Sequence, residues 1–141
     1  MGKKRIVKSG ASKETSARVS AKASKKKVAE GILYVEATFN NTKVSLTDRK
    51  GNVLFWSSSG SLGFKGAKKG TPFAAAKVGD LIGEKAEAIG VKEADVVVKG
   101  VGTGRESAIR SFMARGIDLT SIKDKTPVPF NGPKPKKPRR V

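Results

Sequence analysis

The residues able to build a hydrophobic core fall almost entirely within 28–122, and that confinement decides what this chain can fold into. After the initial Met, residues 1–27 offer only Ile6, Val7 and Val19 as large aliphatics. Residues 123–141 carry Pro127, Pro129, Pro133, Pro135 and Pro138, which favour extended backbone. Neither end can bury enough apolar surface to offset the entropy of ordering it, so both are expected to be disordered when free. One domain of 28–122 between two tails is the expectation.

Charge follows the same boundaries. The chain of 141 residues has a net charge of +18. Residues 1–27 hold ten Lys/Arg and one acid, residues 123–141 seven and one, and the middle thirteen and ten. Such an excess implies a polyanion partner, either nucleic acid or an anionic membrane surface. Like-signed tails flanking a small domain favour nucleic acid over simple solubilisation. There is no Cys and no His, which excludes disulfides, the usual serine and cysteine triads and an ordinary zinc site. The sequence shows neither a membrane span nor the apolar stretch of a secretory signal, and a soluble intracellular protein is the default.

Within the middle, GILYVEATF (31–39) reads as a strand with Leu33, Val35, Ala37 and Phe39 on one face. Asn40-Asn41-Thr42 turns the chain into KVSLTD, and Arg49-Lys50-Gly51-Asn52 turns it into VLFWS. Short turns make these an antiparallel meander. Trp56, the only Trp, fits core packing, with base stacking from a strand end as the alternative. Thr71-Pro72 reads as an N-cap followed by Pro at N1, opening a helix with Ala75, Val78, Ile82, Ala86 and Ile89 on one face and Gly90 at its end. Gly79 and Gly83 weaken it or let it pack closely on the sheet. ADVVVK is a short buried-type strand. A second helix over 105–115 buries Ile109, Phe112 and Met113, and Gly116 ends it. The last strand, IDLTSI, places Ile117, Leu119 and Ser121 on one face. The order β-β-β-α-β-α-β implies an α/β fold: a mixed five-stranded sheet with helices on both faces.

Two glycine-rich loops invite a phosphate reading. Gly100-Val101-Gly102-Thr103-Gly104 fails G-x-G-x-x-G by one position and follows the fourth strand, and no G-x-x-x-x-G-K-[ST] occurs, so a nucleotide cofactor is not expected. Thr103-Gly104-Arg105-Glu106 fits a capping box, leaving Arg105 and the amides of Gly100–Gly102 for an anion. The second loop, SSSGSLGFKGAKKGT (57–71), has Lys65, Lys68 and Lys69, serine hydroxyls and four glycines. It reads either as a mobile solvated loop or as phosphate contact by lysines, hydroxyls and amides; the tails favour contact. Phe64 reads as an anchor. A two-metal nuclease would need converging carboxylates, for which Glu36, Glu84, Glu87 and Asp95 are the candidates. Glu84 and Glu87 also fit an exposed helix face beside Lys85.

Three stretches, FNNTKVSLTDRKGNVLFWSSSGSLGFKGAKKGTPFAAAK, VKGVGTGRESAIRSF and IKDKTPVPFNGPKPKKPRRV, resemble the small-subunit ribosomal protein S-eleven family. The resemblance runs from Gly31 to Val141, with the motifs in the family's order. It implies a ribonuclease-H-like domain without catalysis or cofactor, placed in the cytoplasm on the platform of the small ribosomal subunit. It also implies small-subunit rRNA and neighbouring ribosomal proteins as partners, nearness to mRNA at the exit region with its Shine–Dalgarno helix, and no homo-oligomer. The matching positions are Asn40, Asn41, Lys65, Gly66, Lys68, Lys69, Arg105 and the run 131–140, with Asn131, Lys134, Lys136, Lys137, Arg139 and Arg140 as rRNA contacts. Lys3, Lys4, Arg5, Lys25, Lys26 and Lys27 of the N-terminal tail join them on charge. Val101 and Thr103 stand where the family commonly has prolines, which implies a less rigid glycine loop. Phe130 and Pro133 stand where it often has His and Cys. A DNA-compacting protein and a nuclease are the competing classes.

Overall fold

A computed structural model describes residues 27–140; Lys3, Lys4, Arg5, Lys25 and Lys26 lie outside the described residues. Five strands form one sheet in the order β3-β2-β1-β4-β5. They are β1 (Glu30–Ala37), β2 (Thr42–Thr47), β3 (Val53–Ser58), β4 (Glu93–Gly100) and β5 (Asp118–Asp124). Helix α1 spans Pro72–Ile89 and α2 spans Gly104–Met113, with a 3₁₀ turn at Gly66–Gly70. The first three strands are antiparallel neighbours, as the short turns require, and β4 runs parallel to both β1 and β5. No helix among the described residues is long and apolar enough to cross a membrane.

Both helices cover the same face of the sheet, not one face each. Val78 and Ile82 of α1 and Ala108 and Phe112 of α2 share one core with Leu33, Val35, Leu46 and Val96. The reason is topological. The connections β3-α1-β4 and β4-α2-β5 both step toward the β5 edge, and two crossovers of the same hand stepping the same way place their helices on the same side. Alternate residues therefore separate cleanly. Ala94, Val96 and Val98 are buried, while Asp95 and Val97 between them are only half-buried on the open face.

The one-sided cover and two bulges revise several expectations. β1 stops at Ala37, because Thr38 and Asn41 close a turn through the Thr38 amide and the Asn41 carbonyl (2.8 Å), which leaves Phe39 exposed. A register shift between Leu46 and Thr47 pairs Leu46 with Phe55 and Ser45 with Trp56. Phe55 and Ser57 thus share the helix-covered face, and Trp56 is 58% exposed on the other, not in the core. A second shift, between Ala94 and Asp95, pairs Ala94 with Leu119 but Val96 with Ile122. The extra residue, Thr120, reverses the alternation, so Leu119 and Ile122 share a face and Ser121 turns to the other, where it donates to Asp95 (3.0 Å).

Helix α1 starts as its sequence requires. Thr71 Oγ1 accepts from the Ala74 amide, Pro72 follows, and Gly90 ends it in the left-handed region (φ 86°). Its glycines serve the second helix and not the sheet. A Cβ at Gly79 would lie 3.0 Å from the Ala108 carbonyl carbon and closer still to its oxygen. Gly→Ala inside a helix ordinarily adds about 1 kcal/mol of stability. At Gly79 the overlap with backbone should reverse the sign, and Gly79→Ala should lower the unfolding free energy by about 1–2 kcal/mol in urea titration. A gain in stability would show that the helices are not in this contact. Helix α2 buries Phe112 and Ala108 with Ile109 half-buried, whereas Met113, in its last turn, is 48% exposed.

Candidate nucleic-acid interface

β1, β3, β4 and β5 run in one direction, so the segments leaving their carboxyl ends gather at one end of the sheet. These are the turn at 38–41, the loop at 59–71, the glycine loop at 101–103 and the start of the C-terminal tail. The open sheets of α/β proteins commonly bind ligands at that end. Its first three segments contain no acid at all.

Backbone-to-backbone packing holds the segments together. A Cβ at Gly70 would lie 3.0 Å from the Phe39 carbonyl carbon and 3.4 Å from Asn40 Cα. A Cβ at Gly102 would lie 2.9 Å from the Thr38 carbonyl carbon, and Gly100 sits as tightly against Ala37. The Ser59 amide donates to the Thr42 carbonyl (3.0 Å). Asn40 and the Lys68-Lys69-Gly70 segment, far apart in sequence, are thereby neighbours. Lys65, Gly66 and Lys68 are exposed and Lys69 half-buried, with Gly66 in the left-handed region (φ 63°) at the start of the 3₁₀ turn. Asn40 is exposed, while Asn41 is half-buried. Phe64 anchors the loop, its ring edge-on to Phe73 with centroids 6.1 Å apart.

Several groups read as phosphate donors have internal partners instead. The Gly100 amide donates to Thr126 Oγ1 (3.2 Å) and the Gly102 amide to the Ala37 carbonyl (3.1 Å). Thr103 makes no cap. It is helical (φ −70°, ψ −15°), and its hydroxyl donates to the Gly70 carbonyl (3.0 Å). The capping box is therefore absent, and Glu106 pairs with Arg110 one turn on. The serines build their own turn: Ser61 Oγ donates to the Ser58 carbonyl (2.8 Å), and Ser59 is fully buried. Close packing and these bonds pin the glycine loop.

Arg105 also turns inward. Its Nη1 donates to the Gly100 carbonyl (3.0 Å) and its Nη2 to Asp124 Oδ2 (2.7 Å). Asp124 accepts in addition from the hydroxyl (2.6 Å) and amide (2.9 Å) of Thr126. These Thr126 bonds first, and then Arg105, hold the Asp124 carboxyl down to about 2. A depressed carboxylate stabilises the fold above its unfolded pKa, and the contribution disappears as pH falls toward the folded value. Wild-type stability should therefore decline between about pH 4 and pH 2 more steeply than that of Asp124→Asn. Parallel declines in urea titrations across that window would rule the clasp out.

The C-terminal run starts at this same end, where the Lys125 amide donates to the Val98 carbonyl (2.8 Å). From Lys134 to Arg140 it is exposed and has no helix or strand; Asn131 is exposed in the left-handed region (φ 59°). Lys27 is exposed at the opposite end, beside Gly90 and Lys92, and does not join the cluster. Sequence reading missed Lys43 and Lys99. Both lie on the open face and pair with Glu36 between them (3.8 and 3.4 Å). Their signal was present, since each alternates with buried residues of its strand. The nuclease candidates do not converge: Asp95 bonds to Arg49 and Ser121, Glu36 to the two lysines, and Glu84 and Glu87 are exposed on α1.

The family model described as Ribosomal protein S11 matches residues 31–140. The chain is 50% identical, over 111 residues, to the small ribosomal subunit protein uS11 of Thermotoga maritima, covering 79% of this chain and 85% of that protein.

Proposed function

Because the chain belongs to the ribosomal protein S11 family, we propose that it is a structural constituent of the small ribosomal subunit, binding small-subunit rRNA at the platform. It works in the cytoplasm, within the ribosome, among neighbouring platform proteins and close to mRNA at the exit region. The observation that carries this reading is the convergence of three acid-free segments, one of them bearing Lys65, Lys68 and Lys69, with the start of the cationic tail at the carboxyl end of one sheet. Lysines there replace counterions on phosphates, and recognition is mainly of folded RNA shape. The strand order and the antiparallel first three strands support a ribonuclease-H-like descent. The carboxylates tied to lysine and arginine support a sheet without catalysis.

The test is sedimentation. The tagged chain should travel with small subunits on sucrose gradients and leave them only at high salt. A chain ending at Pro127 keeps Thr126, and with it the bond to Gly100, so it should fold yet lose the five cations of 134–140. Its rRNA affinity should fall, with a salt slope shallower by about 4. If it assembles like the full chain, the tail has no such role. Duplex DNA bound as tightly as rRNA would favour the DNA-compacting class.

A further inference from the structure

The face of the sheet that carries no helix of the described residues has a composition of its own. The strand register sets Trp56 of β3, Ser45 of β2, Tyr34 of β1 and Val97 of β4 side by side in one row. Trp56 is 58% and Tyr34 39% exposed, and the small Ser45 between them leaves the gap between the rings open. Two strand spacings, about 9.5 Å, separate the two backbones, so each ring can take its own flat ligand. The next row sets Lys43, Glu36 and Lys99 side by side. Lys125 and Pro127 complete a groove of about 450 Å³ over Tyr34 and Val97. One carboxylate serves two lysines there, so the rim keeps a positive excess even before Lys125 is counted.

We propose that this open face is a second RNA site, on which unstacked bases of a single-stranded rRNA segment lie against Tyr34 and Trp56 while Lys43, Lys99 and Lys125 meet its phosphates. The proposal rests on the ribosomal reading above. Aromatic side chains on an open sheet are a general platform for splayed bases, because every base has a π-face. A cationic rim beside exposed rings suits a polyanion with flat apolar parts. An apolar protein surface would leave the lysines to be desolvated without partners.

Because Trp56 is the only Trp, its emission reports on this face alone. The full chain is titrated with a transcribed platform domain of small-subunit rRNA while Trp56 emission is followed. Quenching on binding is expected. Trp56→Ala and Tyr34→Ala should each weaken binding about 5- to 150-fold, with the salt slope unchanged. Trp56→Phe should keep wild-type affinity, and unchanged far-UV circular dichroism should show that all variants are folded. If the chain binds but emission is unaltered and both alanine variants bind as wild type, the proposal is overturned and the ribosomal reading stands. Emission that changes only in whole subunits would mean a neighbouring protein covers the face, which also overturns it. A chain that binds no rRNA removes the ribosomal reading and this site together.

Discussion

Raising salt from 50 to 200 mM should cost this chain about 10³–10⁵ in affinity for small-subunit rRNA, the loss that accompanies six to ten phosphate contacts. Lysines of the 59–71 loop should account for a definable part of that loss. Replacing Lys65, Lys68 and Lys69 together with Ala removes three cations from a segment that has no acids, and should make the salt slope shallower by about 2–3. None of the three forms an ion pair with another of the described residues, so the domain should keep its stability. Arg105→Ala should behave in the opposite way. Its guanidinium is engaged with Gly100 and Asp124, so its loss should lower the unfolding midpoint and leave the slope nearly unchanged. Filter binding at a series of salt concentrations separates the two. A salt-independent affinity would end the electrostatic account, and a slope lowered by Arg105→Ala would return Arg105 to the RNA surface.

Gly100→Ala should destabilise the domain by about 2–5 kcal/mol, combining a wrong-handed backbone with overpacking. Gly100 has φ 100°, and a Cβ there would lie 3.0 Å from the Ala37 carbonyl carbon, closer still to its oxygen. Neither the strand end nor the turn can retreat easily, because the Gly102 amide also holds the Ala37 carbonyl. Gly51 is the natural control. It has a similar φ of 92° with nothing within 4 Å of a Cβ, so Gly51→Ala should show only the backbone part, about 1–2 kcal/mol. Equal losses in urea titration would mean that the close approach at Gly100 contributes nothing. Since domains are stable by only about 5–15 kcal/mol, the larger loss should also disorder the turn that carries Asn40 and Asn41 and weaken rRNA binding.

The two predictions mark the limit of local reading. The lysines were legible because charge is a property of composition and the 59–71 loop concentrates it. The purpose of Gly100 was not. A strand-glycine-helix segment has the same sequence whether its amides face a phosphate or a neighbouring strand, and only the packed partner, Ala37, separates the cases. Thr103 and Glu106 had capping-box spacing, but Thr103 has a helical backbone and not the extended one of a cap, and its hydroxyl points to the Gly70 carbonyl of a distant loop. Arg105 was drawn inward by Asp124, nineteen positions away in sequence.

The sequence by itself determined the element order, the strand partners joined by short turns, the apolar faces of β1 and β2, the start and end of α1 and the cationic character of the loops. Each follows from residues within a few positions of one another, where period, turn chemistry and capping act. Only the tertiary structure decided which face of the sheet is covered, and with it the exposure of Trp56 and Tyr34. Alternation states which residues share a side; it does not state which side receives the helices. That choice belongs to the direction and hand of the two crossovers, and to two bulges that each shift a strand by one residue and reverse its faces.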